Sequence, residues 1–181
     1  NGGNGNITFV LQTGSEIIGL ANGGAGSNLV RLEGSGTIAN PFANFQTLTM
    51  EGSDWTWNGS GTFADTFINS GTFRLQNSLT GNVAIAAGTS LLAGNGANPS
   101  IAPFPGGPPI TVTNAGLIDL SNGSSSTANS LTIVGNYVGN NGRLNLHTVL
   151  GPDNSPSDKL VISAGPATVC DADRSEEHTS E

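Results

Sequence analysis

The sequence predicts an all-β fold, and two observations carry that expectation. Gly, Asn, Ser and Thr supply 85 of the 181 residues, whereas charged residues make up only 10%. Those four types rank low in helix propensity, and no window carries the mixed Ala, Glu, Lys and Leu character that would offset them. Short runs of alternating apolar and polar residues also follow a Gly turn repeatedly, at 36–38, 61–63, 71–75, 88–91, 116–120 and 142–146. Alternation with period two marks a strand with one buried face. A disordered chain would favour high charge and few β-branched or aromatic residues. A Gly/Ser linker would account for the turns but not for the runs.

The spacing of the turns points to a repeat. Three share Asn-x-Gly: Asn69-Ser70-Gly71, Asn114-Ala115-Gly116 and Asn140-Asn141-Gly142. Gly71 and Gly116 are 45 residues apart, and Gly116 and Gly142 are 26 apart. A unit of roughly 22 to 26 residues, with a double step in the first interval, fits a solenoid of β-coils. A right-handed parallel β-helix explains this pattern. Each coil holds a few short strands, and each strand pairs with its equivalent one coil away. About seven coils give a rod of about 35 Å. An antiparallel sandwich also uses short strands and frequent Gly turns, with Asn22-Gly23 and Asn122-Gly123 available as hairpin loops.

In the β-helix reading the elements follow in order. Ile7 and Phe9, Val30 and Leu32, Phe73 and Leu75, Val83 and Ile85, Ile118 and Leu120, and Leu131 and Ile133 point inward. Thr72, Arg74, Gln76, Asp119, Thr132 and Arg143 point outward. Residues 98–109 hold five of the nine prolines. Proline cannot donate to a ladder, so this is a loop or coil edge. Residues 121–130 (SNGSSSTANS) form a projecting polar loop.

Charge excludes several partners. The formal charge is −8, with only five Lys plus Arg. Nucleic-acid binding needs a basic patch, and anionic membrane surfaces are disfavoured for the same reason. No run of about 18 apolar residues predicts membrane insertion by this segment. No charged-then-apolar N-terminal signal is present, and the chain begins mid-pattern at Asn1-Gly2-Gly3, as expected of a fragment with its export signal upstream.

Residues 139–162 read GNNGRLNLHTVLGPDNSPSDKLVI. Asn141-Gly142 makes a turn, with Gly tolerating positive φ. Leu144 and Leu146 then alternate with Arg143, Asn145 and His147, which places His147 on the outer face. Residues 151–156 gather nearly every turn-forming type, and Leu160 and Ile162 restart the alternation. This order resembles the segment near the C-terminal end of autotransporter passenger domains, the pertactin-like and diffuse-adherence adhesin group of type V secretion. The matching residues are Asn141, Gly142, Leu144, Leu146, Leu150, Gly151, Asp153, Asn154, Ser155, Asp158, Leu160 and Ile162.

The resemblance favours the β-helix over the sandwich. It implies a β-helix passenger fragment over residues 1–168 with autochaperone-like coils at 139–165, and residues 169–181 are expected to form a disordered tail. It also implies a non-enzymatic stalk or adhesin, exported through the periplasm to the outer face of a Gram-negative cell. The implied partners are a downstream β-barrel translocator, absent from this chain, and surface glycans or proteins, host or abiotic. Residues 174–181 (RSEEHTSE) are similar to the translation of a sequencing adapter whose DNA begins AGATCGGAAGAGCACACG. This segment is set aside as an assembly artefact, leaving 10 acidic and 4 basic residues.

No catalytic, cofactor or metal residues are expected. The acids before residue 174 are scattered: Glu16, Glu33, Glu51, Asp54, Asp65, Asp119, Asp153, Asp158, Asp171 and Asp173. β-helix lyases and hydrolases usually combine several carboxylates with Arg or Lys, and the bases here are Arg31, Arg74, Arg143 and Lys159. Asp153, Asn154, Ser155 and Asp158 fail the EF-hand spacing and read instead as a turn whose side chains bond local amides. Cys170 has no second cysteine to pair with or to share a metal. Trp55 and Trp57 share one strand face, either stacking on sugar rings if outward or joining the core if inward, with core favoured. The alternative function is a β-helix that binds or degrades polysaccharide, with Trp55, Trp57 and Tyr137 on one exposed face in the binding case.

Overall fold

The computed structural model describes residues 2–122, 125–152, 154–164 and 166–170. Asp153 and the segment 171–181, including the adapter-like residues, lie outside the described residues. The chain winds in repeated passes of short strands. The first passes run β1 (Thr8–Leu11) and β2 (Ala21–Asn22), then β3 (Leu29–Leu32), β4 (Ser35–Ile38) and β5 (Phe42–Ala43). Next come β6 (Thr47–Met50) and β7 (Asp54–Trp57), then β8 (Asp65–Ile68), β9 (Thr72–Leu75) and β10 (Leu79–Thr80). These are followed by β11 (Asn82–Ile85), β12 (Ser90–Ala93) and β13 (Ser100–Ala102). The later passes hold β14 (Ile110–Asn114), β15 (Leu117–Asp119), β16 (Ser130–Asn140), β17 (Arg143–Asn145), β18 (Lys159–Ser163) and β19 (Ala167–Cys170).

Every strand pairs in parallel with its equivalent one pass away. A first face stacks β1, β3, β6, β8, β11, β14, β16 and β19. A second stacks β4, β7, β9, β12, β15 and β17. A third holds the pair β2 and β5 and the row β10, β13, β16 and β18. This is an all-β parallel β-helix. A sandwich would need antiparallel ladders, and the one antiparallel contact among the described residues is an isolated bridge, Thr148 to Ser157.

The expected unit of roughly 22 to 26 residues needs correction. Early passes are shorter: Leu29 aligns with Thr47, Thr47 with Asp65, and Asp65 with Asn82, steps of 18, 18 and 17. Later passes are longer and uneven, with Val83 aligned to Val112, Val112 to Tyr137 and Tyr137 to Ala167, steps of 29, 25 and 30, of which the middle one lies in the expected range. The difference lies in the loops. From β3 to β12 most corners turn in a few residues, whereas later passes carry the Pro-rich segment, the polar loop and the excursion after β17. In the Pro-rich segment Ser100–Ala102 form β13 rather than the expected loop, and residues 103–109 form the loop. The 45-residue double step covers Thr72 to Ser90 and Ser90 to Leu117, one short pass and one long one.

The core follows the inward positions. Val30, Leu32, Phe73, Leu75, Val83, Ile85, Ile118, Leu120, Leu131 and Ile133 are buried, and Ile7 and Phe9 pack half-buried against them. Thr72, Arg74, Gln76, Asp119 and Thr132 are half-buried and Arg143 is exposed. Aromatic rings fill the N-terminal half. Trp57 packs against Phe42 and Phe63 at 5.7 Å between centroids and stacks on Phe73 at 6.5 Å. The Trp55 ring lies over Gly36 in the neighbouring strand, where a Cβ would strike it. Both tryptophans are buried, and neither indole N–H has a hydrogen-bond partner among the described residues.

Trp57 therefore contributes through packing alone, and its truncation should be expensive. Trp57→Ala should lower unfolding free energy by about 4 kcal/mol, as expected for an emptied aromatic site. Trp57→Phe should cost about half as much, because it keeps a ring and also removes the unpartnered N–H. Urea titration followed by circular dichroism measures both. A Trp57→Ala loss no larger than that of Trp57→Phe would contradict this packing role.

Candidate functional site

The C-terminal passes are organised by β16. Its eleven residues alternate strictly, with Leu131, Ile133, Gly135, Tyr137 and Gly139 facing inward. The strand serves two faces. Ser130 to Val134 pair with β18, and Tyr137 to Asn140 pair with β19. Tyr137 is buried, and its hydroxyl accepts a hydrogen bond from Asn114 Nδ2 at 3.2 Å. The same amide donates to the Arg143 carbonyl at 3.1 Å, while Asn114 Oδ1 accepts from the Gly116 N–H at 3.1 Å. The Asn of one Asn-x-Gly turn thus fastens the next pass down onto it.

The turn at Asn141-Gly142 departs from expectation in one detail. Asn141 adopts the left-handed conformation, with φ of 59°, and Gly142 does not. Gly142 is required for a different reason. A Cβ there would collide with the carbonyl and side-chain amide of Asn114. Asparagine tolerates left-handed φ better than other side-chain-bearing residues, so the two residues divide the work of the corner.

Beyond the turn, β17 is the last strand described on the second face. Leu144 aligns with the buried Ile118, so it lies on the inward side, yet it is 39% exposed, as is Leu146. The expectation of a buried Leu144–Leu146 face is therefore corrected. No further strand covers β17 among the described residues, so its inward side meets solvent. Val149 and Leu150 are also exposed, Leu150 at 95%.

The chain then makes an excursion whose neck is tied twice. Asp158 N–H donates to the His147 carbonyl at 2.8 Å, and His147 N–H donates to Asp158 Oδ2 at 2.9 Å. Asp158 Oδ1 accepts from the Asn129 N–H at 2.9 Å, and the Lys159 N–H donates to the Asn129 carbonyl at 2.9 Å. Asp158 is only 2% exposed. Its carboxylate is held by two backbone amides from different passes, which is how a buried charge is accommodated without a cation. Asn129 is itself buried. It accepts from the Asn95 N–H at 3.0 Å and donates to the Leu120 carbonyl at 3.0 Å.

The residues expected to form the motif therefore split into groups. Asn141 and Gly142 make the corner, Asp158 makes the clamp, and Leu160 and Ile162 pack half-buried on the core. Gly151, Asn154 and Ser155 form the excursion's tip, where Ser155 Oγ donates to the Pro152 carbonyl at 2.6 Å and Asn154 has φ of 71°. Asp153 lies outside the described residues. His147 is half-buried rather than free on the surface, with Nδ1 3.3 Å from the Ser126 carbonyl oxygen. Trp55, Trp57 and Tyr137 are interior and present no ring face to solvent, so the sugar-stacking role weighed for them is not available. Among the described residues no group of three His, Cys, Asp or Glu could hold a metal.

Sequence reasoning placed Asn114 in a turn without its cross-pass bonds, and it missed Asn129. A signal existed. Asn28, Asn129 and Asp158 are all buried, and each immediately precedes a strand: β3, β16 and β18. Asn28 repeats the bracket at the other end of the stack. It accepts from the Ile7 N–H at 3.0 Å and donates to the Asn44 carbonyl at 2.8 Å.

The clamp and the corner make separable contributions. Asp158→Ala leaves two buried N–H groups unpaired and should cost about 3 kcal/mol. Asp158→Asn keeps one acceptor and should cost about half of that. Gly142→Ala should cost about 2 kcal/mol through overpacking. Denaturant unfolding of the three variants checks the order. Equal stabilities of Asp158→Ala and the parent chain would contradict the clamp.

Residues 110–173 match the family described as Autochaperone Domain Type 1, a span that begins at β14. Over 143 residues, 79% of the chain, the sequence is 38% identical to "Uncharacterized protein YuaQ" of Escherichia coli (strain K12). Over 131 residues, 72% of the chain, it is 33% identical to "Adhesin BmaC autotransporter" of Brucella suis biovar 1 (strain 1330). The chain spans only 9% and 3% of those relatives' lengths. No solved structure matches. The match over residues 110–173 and the similarity to a named autotransporter adhesin together support an autotransporter passenger autochaperone region in the C-terminal part of this chain.

Proposed function

We propose that the chain is a stretch of non-enzymatic, surface-exposed stalk or adhesin whose C-terminal coils promote folding of the passenger during secretion. The observation that carries the folding role is the tied neck. Asp158, His147 and Asn129 fasten the last passes through contacts within about one pass of each other. The pass they close is no shorter than those elsewhere in the stack, so what singles these passes out is the buried carboxylate, which ties Asn129 and His147 to one side chain and strengthens the last passes locally. Once closed, these passes present ordered strand edges with unpaired backbone groups, on which the neighbouring pass adds with little nucleation cost.

A downstream β-barrel translocator and placement on the outer surface of a Gram-negative cell belong to the same reading, supported by the autochaperone match and the autotransporter relative. The non-enzymatic part is supported by how the ionisable groups are used. Asp158 is taken up by backbone amides, and Asp54 binds Arg74 Nε and an Nη at 3.0 Å each. The Asp54 hydrogen bonds hold the Arg74 guanidinium above its ordinary pKa.

Refolding kinetics of the full chain test the proposal. If the C-terminal passes form first, Asp158→Ala should slow refolding by about the full amount of its stability loss, a φ-value near 1. Trp57→Ala, in the N-terminal half, should act mainly by speeding unfolding. A refolding rate unchanged by Asp158→Ala would sink the folding role.

A further inference from the structure

We infer that the outer surface of the first face carries a neutral-glycan binding platform centred on Phe67, a reading that rests on the adhesive part of the function proposed above. Phe67 points outward from β8 and is 39% exposed. Its lateral neighbours are Thr49 on β6 and Ala84 on β11. Both are smaller, so the ring stands above the sheet beside a shallow depression floored by Ala84 and continuing to Thr113.

A polar ladder runs alongside. Asp65 Oδ1 accepts from Asn82 Nδ2 at 3.0 Å, and Asn82 Oδ1 accepts from the Thr111 N–H at 2.9 Å. Asn136 Nδ2 lies 3.5 Å from Thr111 Oγ1. The carboxylate of Asp65 is thereby oriented, two residues from the ring on the same strand face. From Phe67 to Thr113 the platform crosses two strand spacings, about 10 Å.

The chemistry selects the ligand class. An exposed ring offers an apolar face to the C–H side of a sugar, and an oriented carboxylate accepts strongly from hydroxyls. Apart from the small Ala84 methyl, the ring's neighbours on this face are hydroxyls, an amide and a carboxylate, which is too little apolar surface for a protein hot spot. A net charge of −8 and the adjacent Asp65 disfavour nucleic acids and acidic sugars.

The test uses the full chain with cellohexaose, chitohexaose and mannohexaose as probes, read by saturation-transfer NMR and calorimetry. At least one probe should bind at millimolar concentration or better. Phe67→Ala should weaken it at least tenfold, Asp65→Asn at least threefold, and Phe67→Trp should retain it. Should Phe67→Ala not fold, Phe67→Leu keeps the bulk without the aromatic face and should show the same loss. No binding by the parent chain, or binding unchanged in Phe67→Ala or Phe67→Leu, would overturn the platform. Refolding rates do not depend on these surface groups, so either result leaves the folding role to be judged by its own kinetics.

Discussion

A backbone amide in the strands of this chain finds its partner one pass away rather than within its own pass. That axial ladder sets nearly everything else. Parallel register at a fixed spacing forces each inward side chain to stack on its equivalent, so Val30 sits above Leu48 and Trp55 above Phe73. The stacked rows exclude water and protect the ladder. The corners must then turn without disturbing register, and they do so with small or left-handed residues and with buried amide side chains.

The buried polar residues show how the corners are held. Asn28, Asn114, Asn129 and Asp158 have little or no exposure, and each bonds backbone groups of an adjacent pass. A strand end leaves N–H and C=O groups that the ladder no longer satisfies, and inside a stack no water replaces them. One side chain with both a donor and an acceptor answers both needs. Asp158 differs because it offers acceptors alone, and it meets donors alone: two N–H groups from different passes.

Much of this was legible in the sequence because period-two alternation reports directly on which side chains face the interior. The inward rows at Val30, Phe73, Val83, Ile118 and Leu131 were read that way, and so was the double step from Gly71 to Gly116. Alternation fails where burial depends on a neighbour rather than on the strand itself. Leu144 has the right parity, but no strand covers it. Parity places Trp55 and Trp57 together without saying on which side of the strand they lie. Pass length was misjudged because Gly-led strands mark a corner of every pass only when the intervening loops are equal, and here they lengthen. The clamp at Asp158 was hidden because its partners are backbone amides distant in sequence, which leave no trace in residue type.

The unequal pass lengths carry a consequence for how such a chain can change over generations. A step of 18 residues in the early passes and one of 29 later differ in loop-closure entropy by only about 0.4 kcal/mol. Insertions at a corner are therefore almost neutral, provided the strands on either side keep their register. Variation can accumulate at the rim of each pass while the interior rows stay under strict steric selection. The architecture separates what must be conserved from what is free to diversify, and a lineage can alter the decoration of its surface without reinventing its scaffold.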